Sequence, residues 1–175
     1  KSVFASLSGQ AGEEVSAHYA VYKDGHIDQY VEESKRAWHA GVSSWCGLAD
    51  INSISIGIEF CSETPGEGVE AERFNRTQFS KKQISNGIEL IKGIIERHNI
   101  LPQNIVSHHE IAPDRKFDPG ANFPWQKLAE HGIGLWHDID KIDKTQLDLQ
   151  ELQEFLLLLN ILGYGTRAYN VVDIT

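Results

Sequence analysis

One short stretch of the chain concentrates residue types that can bind a metal or transfer a proton. Residues 108–120 read His-His-Glu-Ile-Ala-Pro-Asp-Arg-Lys-Phe-Asp-Pro-Gly, with imidazoles, a lysine and several carboxylates. Imidazole nitrogen and carboxylate oxygen both suit zinc, and a catalytic zinc site uses three protein ligands plus a water. His108 and Asp118 lie ten residues apart, which is not the spacing of a generic metal motif. Spacing alone therefore leaves two interpretations, a metal site and a polar surface loop.

Glu59 is a second candidate because it interrupts the apolar run 54–60. Side chains alternate across a strand, so Glu59 shares a face with Ser55 and Gly57, opposite the isoleucines and Phe60. If partial burial raises its pKa, Glu59 suits the role of general base. The alternative is an outward-facing, solvated glutamate.

Two further histidines have candidate roles of different kinds. His39 lies in the segment Trp38-His39-Ala40-Gly41, where an aromatic ring and an imidazole stand beside small residues, as suits a sugar or peptide groove. A core tryptophan with a hydrogen-bonded histidine is the alternative interpretation of that segment. His18 lies inside a predicted strand, and we interpret it as a structural core histidine rather than a ligand.

The elements that would position these residues are predicted from periodicity and turn signals. Residues 16–31 predict a β-hairpin turning at Asp24-Gly25, and residues 53–61 predict a central strand carrying Glu59. Residues 78–98 predict a helix with isoleucines on one face, capped at Thr77 or at Ser80, the latter in a capping box with Gln83. The remaining predictions are a loop at 62–76, a short strand at 104–107, a functional loop at 108–124, a short helix at 124–131 and a linker at 132–147.

Together these elements predict an α/β fold, a mixed central sheet flanked by helices, with a short helical extension at the C-terminal end. That extension begins at Asp148, carries a leucine stripe and ends at Gly163. Residues 138–175 are expected to be a linker and the start of a helical domain.

Bulk properties exclude several classes of protein. The net charge of −9 and the absence of a basic run argue against nucleic-acid binding. The longest apolar stretch, residues 155–159, is too short to span a membrane. The chain begins at Lys1 without a signal peptide, and we interpret it as a mature or truncated product. Cys46 and Cys61 are interpreted as buried thiols or, alternatively, as one disulfide of an oxidising compartment.

Four stretches, taken in order, resemble the type-2 N-acetylmuramoyl-L-alanine amidase family, which also contains the peptidoglycan recognition proteins. They are residues 15–19 with Asp24-Gly25, residues 36–41, Asn52 with residues 55–59, and residues 107–120. The resemblance covers about residues 1–137 and implies that they form the catalytic domain, whose first strand is expected upstream of Lys1. Residues 132–136 and the leucine-rich helix resemble the outer-membrane lipoprotein subtype, which carries a helical wall-binding domain.

The resemblance implies an activity and a set of site residues. It implies a zinc enzyme that cuts the amide between N-acetylmuramic acid, or its 1,6-anhydro form, and L-alanine. His108 and Asp118 would be zinc ligands, Glu59 the catalytic carboxylate and Lys116 an electrophilic partner. Residues near the substrate groove would be Trp38, His39 and Asn52. The family's first ligand is a histidine expected upstream of Lys1, and substitution by His18 or His39 would depart from the family.

Alternatives of other classes stay open from the sequence. Some members of the family recognise peptidoglycan without cutting it, usually after losing a zinc ligand, so a non-catalytic binding module is one alternative. A metallopeptidase acting on the stem peptide is another. The lipoprotein subtype predicts the periplasm or cell envelope, with membrane anchoring through an N-terminal segment, whereas the anhydromuropeptide relatives predict the cytoplasm.

Overall fold

The computed structural model describes residues 15–62, 72, 76–137 and 148–162, the side chains of 160–162 excepted. Most of the predicted loop at 62–76, the later part of the predicted linker, Gly163 and the region around Lys1 lie outside the described residues. The expected domain boundary near residue 137 therefore stays a prediction. Within the described ranges, no helix combines the length and the apolar character that crossing a membrane requires.

The predicted hairpin is present and forms one side of the main sheet. Strand β1 is Tyr19–Val21 and strand β2 is Ile27–Gln29, paired antiparallel with Ala20 opposite Asp28. Gly25 has a φ of 85°, a conformation that glycine adopts at little cost, and its N–H donates to the carbonyl of Tyr22 at 2.8 Å. The Asp-Gly turn signal thus predicted the hairpin correctly.

The strand that carries Glu59 pairs parallel with the first strand. It follows a two-stranded ribbon of β3, Ser44–Trp45, and β4, Leu48–Ala49. Strand β5 is Ile58–Phe60, and the order β2-β1-β5 makes a mixed sheet with Glu59 opposite Ala20.

The predicted span of this strand, 53–61, is too long, because a 3-10 turn at Ile51–Ser53 comes first. Strand β5 is also at an edge rather than at the centre of the three described strands.

A long helix packs against this sheet, as predicted. Helix α1 is Lys81–His98, and Ser80 with Gln83 forms the predicted capping box. Gly87 allows the close packing, since a Cβ there would lie 2.5 Å from Cε1 of Phe60. The core cluster combines isoleucines of α1 with apolar residues from further along the chain: Ile84, Ile88, Ile91, Phe123, Leu128 and Ile133. A mixed sheet with helices packed on it confirms the predicted α/β class.

Three of the later predictions have different outcomes. The predicted strand at 104–107 is wrong: Asn104 ends a 3-10 turn, Pro102–Asn104, and residues 105–107 belong to no strand of the described chain. The predicted loop at 108–124 begins instead with a short helix α2, His108–Ile111. Helix α3, Trp125–Ala129, is confirmed within the predicted 124–131.

The predicted C-terminal helix is also present. Helix α4 spans Leu149–Leu162. Leu152, Leu156 and Leu159 are half-buried, whereas Leu149 is 69% exposed. The leucine stripe therefore lies on a helix as predicted.

Candidate functional site

The fold gathers the four residues predicted to carry chemistry. Glu59 is at the middle of β5, His108 is the first residue of α2, and Lys116 and Asp118 lie in the loop that follows. The charges of Asp118, His108 and Lys116 all act on the Glu59 carboxyl. Residues separated by up to 59 positions in the chain therefore share one electrostatic environment.

Helix α2 exists because Ser107 and Glu110 cap each other. The Ser107 hydroxyl accepts from the Glu110 N–H at 3.1 Å, and the Glu110 carboxylate accepts from the Ser107 N–H at 2.6 Å. This reciprocal bonding satisfies N–H groups that a helix start otherwise leaves unpaired. The Ser-x-x-Glu pattern was available in the sequence and locates the start of the site helix at His108.

Both ring nitrogens of His108 face acceptors. Its Nε2 lies 3.1 Å from the carbonyl oxygen of Ala40, and its Nδ1 lies 2.9 Å from Oδ2 of Asp118. Because a carbonyl can only accept, Nε2 carries a proton, and in a neutral ring Nδ1 then presents a lone pair. That lone pair faces a carboxylate oxygen, so the pair requires either a second proton on the ring or a cation held jointly. A histidine that donates its other N–H to a carbonyl is the usual arrangement of a metal ligand.

Asp118 is suited to be the anionic member of this pair. Burial opposes ionisation of its carboxyl, but the hydrogen bond and charge of His108, its own backbone N–H and the charge of Lys116 together lower its pKa. Only 29% of the Asp118 side chain and 16% of the His108 side chain are exposed. If Nδ1 gives up that proton, its lone pair and the ionised carboxylate converge in a mostly buried place, and this donor set suits zinc.

Glu59 has the opposite electrostatic balance. Burial raises the pKa of its carboxyl, and the nearby Asp118 charge raises it further. The charges of His108 and Lys116 lower the pKa, but not enough to compensate. A carboxyl with a raised pKa can hold and release a proton closer to neutral pH, as a general base and acid must. The alternative of a fully solvated glutamate is wrong, since Glu59 is half-buried.

The loop that carries Lys116 and Asp118 is folded back onto α2 by His109. The His109 backbone N–H donates to the Asp118 carbonyl at 3.1 Å, and its Nδ1 lies 2.6 Å from the Lys116 carbonyl oxygen. The Lys116 N–H in turn donates to the Ala112 carbonyl at 3.0 Å. These bonds fix the two functional residues relative to His108.

Two of the three predicted groove residues lie on one loop, and the third supports that loop. Trp38 is 49% exposed, and the Arg36 guanidinium lies 4.1 Å from the centroid of its ring. Asn52 is buried, and its Oδ1 accepts from the N–H groups of His39 at 2.9 Å and Ala40 at 2.8 Å. Contact of Trp38, His39 and Asn52 with a substrate stays a prediction.

His39 is neutral in this environment. Burial, then the charges of His18 and His108, lower its pKa to about 4, although a hydrogen bond with the Ser55 backbone partly offsets this. Its Nε2 is buried and has no hydrogen-bond partner within the described part of the chain. His39 therefore presents an unprotonated nitrogen to the interior rather than a positive charge.

His18 is a structural residue, as predicted. It is fully buried, its Nδ1 accepts from the Gly57 N–H at 3.0 Å, and its Nε2 donates to the Lys35 carbonyl at 2.9 Å. Since both nitrogens are used, His18 has no lone pair left for a metal.

No third histidine, cysteine, aspartate or glutamate joins His108 and Asp118 into a metal-binding group among residues 15–62, 72, 76–137 and 148–162. The expectation that the third ligand lies upstream of Lys1 stays a prediction.

Cys46 and Cys61 do not form a disulfide with each other, and the expected burial of Cys46 is wrong because it is exposed. Cys61 is half-buried.

Comparison with known families and proteins identifies the family of this chain. Residues 3–121 match the family model described as N-acetylmuramoyl-L-alanine amidase. The chain belongs to this amidase family. AmiD of Escherichia coli strain K12, an N-acetylmuramoyl-L-alanine amidase, is 41% identical over 166 residues, which are 86% of this chain and 59% of AmiD.

A second relative is the 1,6-anhydro-N-acetylmuramyl-L-alanine amidase AmpD of Citrobacter freundii. It is 38% identical over 122 residues, which are 70% of this chain and 59% of AmpD. This amidase-family chain thus spans about 59% of the length of both relatives.

Two solved structures resemble the fold over 95% of the chain. AmiD from E. coli, in complex with its substrate anhydro-N-acetylmuramic acid-L-Ala-D-gamma-Glu-L-Lys, gives a TM-score of 0.72 at 35% identity, with 68% of AmiD covered. AmpDH3 from Pseudomonas aeruginosa, in complex with anhydromuramic pentapeptide, gives 0.73 at 30% identity, with 71% covered. The amidase fold is therefore established at the level of structure as well as sequence.

Sequence reasoning missed two parts of the candidate site. One is the Ala40 carbonyl, which faces the His108 ring, and the other is Arg115, whose guanidinium donates to the same carbonyl. A backbone carbonyl has no signature in a sequence, and Arg115 is separated from its partner by 75 positions. His109 was included in the predicted segment, but its role in holding the Lys116 and Asp118 loop was not predicted.

Proposed function

We propose that this protein is a zinc-dependent amidase that hydrolyses the bond between N-acetylmuramic acid, or its 1,6-anhydro form, and the L-alanine of the stem peptide. The observation that carries the proposal is the His108 Nδ1 facing the Asp118 carboxylate at 2.9 Å, with the Glu59 carboxyl in the same electrostatic environment. Family membership supports the reaction class.

His108 and Asp118 would hold the zinc ion, together with a further ligand outside the described residues. When bound, zinc acidifies water and acts as a Lewis acid toward the carbonyl of the scissile amide. The Ala40 carbonyl keeps the His108 Nε2 proton in place, which leaves Nδ1 as the ligating atom. The low pKa of Asp118 keeps its carboxylate ionised for the same purpose.

Glu59 is assigned the proton transfers. Its carboxylate takes a proton from the attacking water, and the resulting acid donates that proton to the leaving amine of L-alanine. The raised pKa of Glu59 suits both steps, since a carboxyl with an ordinary pKa would be a weaker base and would hold the proton poorly.

Lys116 is assigned to the developing negative charge on the amide oxygen. Its ammonium group belongs to a half-buried residue, and its loop is fixed by the bond from His109. A positive charge held in place before the reaction stabilises an oxyanion without reorganisation.

The substrate class is supported by the relatives. AmiD and AmpDH3 have been solved with anhydromuramyl peptides. In this chain the half-exposed Trp38 ring offers an apolar surface, and the Arg36 guanidinium over that ring adds a polar group. Trp38 lies on the same loop as Ala40, whose carbonyl contacts His108. We assign Trp38, His39 and Asn52 to the wall of the substrate groove, with Trp38 as the contact surface and Asn52 as its support.

We also propose the outer-membrane lipoprotein subtype, and with it a location in the periplasm or cell envelope and anchoring through an N-terminal segment. The supporting similarity is to AmiD over 166 residues. Fractionation of cells that express the intact protein tests this: recovery with envelope membranes supports it, and recovery in the cytoplasm contradicts it in favour of the anhydromuropeptide type.

The reaction is tested by incubating the intact protein with an anhydromuramyl tripeptide and analysing the products by mass spectrometry. The proposal predicts two products, the free sugar acid and a peptide that begins with L-alanine. A shortened stem peptide still attached to the sugar would instead identify a peptidase, and intact substrate bound to the protein would identify a binding module. Parallel incubation with a chelator is expected to abolish cleavage, and added zinc to restore it.

A further inference from the structure

The loop at residues 38–42 is held by a side chain from the segment that carries the site residues. The Arg115 guanidinium donates through Nε to the Val42 carbonyl at 2.8 Å and through Nη2 to the Ala40 carbonyl. Between these carbonyls lies Gly41, with a φ of 59°. A Cβ at Gly41 would lie 2.8 Å from Nη2 of Arg115, so the guanidinium packs directly on the glycine backbone.

The same Ala40 carbonyl also faces the candidate metal ligand. Its oxygen lies 3.1 Å from Nε2 of His108 and accepts from Arg115 as well. On the other side of the peptide, the Ala40 N–H donates to Oδ1 of the buried Asn52 at 2.8 Å. Ala40 itself is fully buried. The carbonyl that orients the His108 ring is therefore fixed from two directions.

An arginine is required for this contact by its shape. Its planar guanidinium offers five donors in a rigid fork and can bond two carbonyls at once, whereas a lysine ammonium is a single point of donation on a flexible stem. The Arg115 backbone N–H donates to the Ala112 carbonyl at 3.1 Å, which ties the residue to the end of α2. Although Arg115 is exposed overall, its guanidinium therefore links the 38–42 loop to the segment carrying Asp118.

We propose that Arg115 is a positioning residue for the metal site, acting through the Ala40 carbonyl to hold His108 Nδ1 toward Asp118. The inference rests on the proposed zinc function. Arg115 does not touch the metal or the substrate in this account. Its loss frees the Ala40 carbonyl, so the His108 ring is less well oriented and binds zinc more weakly.

The test is the zinc affinity of the intact protein and three variants, measured by competition with a chromophoric chelator. Loss of an outer partner of a metal ligand typically weakens metal binding by about 10- to 100-fold, which is the effect expected for Arg115→Ala. Arg115→Lys is expected to be weaker than wild type as well, because one ammonium cannot replace the fork. Arg97→Ala is the matched control, since Arg97 bonds Glu33 and has no contact with His108 or Ala40 in the described residues.

Thermal unfolding of the metal-free forms separates positioning from general destabilisation. Arg97→Ala is expected to lower the Tm without changing zinc affinity, whereas the Arg115 variants lower zinc affinity. The inference would be overturned, and the proposed function left standing, if Arg115→Ala bound zinc as tightly as wild type or if Arg97→Ala lost as much zinc affinity as Arg115→Ala. Absence of zinc binding by wild type would overturn the proposed function and this inference together. If Arg115→Ala does not fold, Arg115→Lys decides: wild-type affinity overturns the inference, and weaker affinity supports it.

Discussion

Two partly buried glutamates in this molecule have opposite electrostatic surroundings. Glu33 accepts from the Tyr19 hydroxyl at 2.6 Å, from Nε of Arg97 at 3.1 Å and from Nε2 of His98 at 2.7 Å. The Arg97 hydrogen bond leads the causes that lower its pKa to about 2, against the opposing effect of burial. Glu59, in contrast, has a pKa raised by burial and by the neighbouring Asp118 charge.

The contrast separates a structural carboxylate from a functional one. Around Glu33 the hydrogen bonds favour the charged form of the carboxyl. They stabilise the fold and leave the carboxylate poorly suited to proton transfer near neutral pH. Around Glu59, burial and the Asp118 charge oppose ionisation of the carboxyl, and the charges of His108 and Lys116 offset this only in part. Clusters of this second kind are typical of sites where a metal or a reacting group completes the charge balance.

The largest effect is expected from removing the carboxylate that faces His108. Asp118→Ala should abolish zinc binding and lower turnover by at least about a thousandfold, because the site loses a ligand and the several kcal/mol of charge stabilisation that the metal supplies. Zinc content and muropeptide cleavage are the measurements. Asp114→Ala is the control, since Asp114 is an exposed aspartate of the same loop and should leave both unchanged. Equal effects of the two substitutions would contradict the assignment.

Glu59→Gln is expected to lower turnover by about 10²- to 10⁴-fold while zinc stays bound, because the amide keeps the shape but cannot accept the proton. The same substitution should leave stability at neutral pH unchanged or raised, since it removes a charge whose ionisation burial opposes. Cleavage assays and thermal unfolding measure the two effects. Near wild-type turnover in a zinc-loaded variant would show that Glu59 is not the base.

Glu33→Gln should have the reverse pattern, with turnover unchanged and stability lowered by about 1.5–3 kcal/mol, the usual contribution of a hydrogen bond to a charged group. Denaturant unfolding measures this loss. Its neighbour Glu32 is the matched control, because its side-chain contact among the described residues is an exposed ion pair with Lys35, and its substitution by glutamine should cost little. If Glu33→Gln were as stable as Glu32→Gln, the hydrogen bonds of Glu33 would not stabilise the fold, and the contrast with Glu59 would fail.

The smallest effect is a pH dependence of the Glu33 contribution. Its pKa is about 2 in the folded protein against an ordinary value of 4.5 in the unfolded chain, so the stabilisation is fully present above pH 4.5. It is lost as the pH falls from about 4.5 toward 2 and the carboxylate becomes protonated in the folded state. The difference in unfolding free energy between wild type and Glu33→Gln should shrink over that range. A constant difference would show that the ionic contacts of Glu33 contribute nothing.

Local signals predicted the elements of this fold better than their lengths. The Asp24-Gly25 turn and the Ser80 capping box were correct because each is determined by a few adjacent residues. The strand at 53–61 was too long because Ser53 ends a 3-10 turn, which follows Asp50 with its φ of 56°, and the strand begins only at Ile58. Residues 104–107 pair with no strand in the described part of the chain, and pairing depends on a partner that no local pattern specifies.

The site could be predicted only in part, because its contacts also depend on partners that are distant in the sequence. Residue types identified His108, Asp118, Lys116 and Glu59 as candidates, and the structure brings all four together. The contacts that orient them arise from the tertiary fold. Arg115 meets the Ala40 carbonyl across 75 positions, and that contact depends on where the two loops pack.

The most direct test of the account is the metal content of the intact protein purified without chelator, measured by elemental analysis. The shared position of the His108 Nδ1 and the Asp118 carboxylate predicts one zinc ion per chain. Metal-free protein that also fails to take up added zinc would contradict it, because a second proton on the imidazole would then be all that holds the pair together.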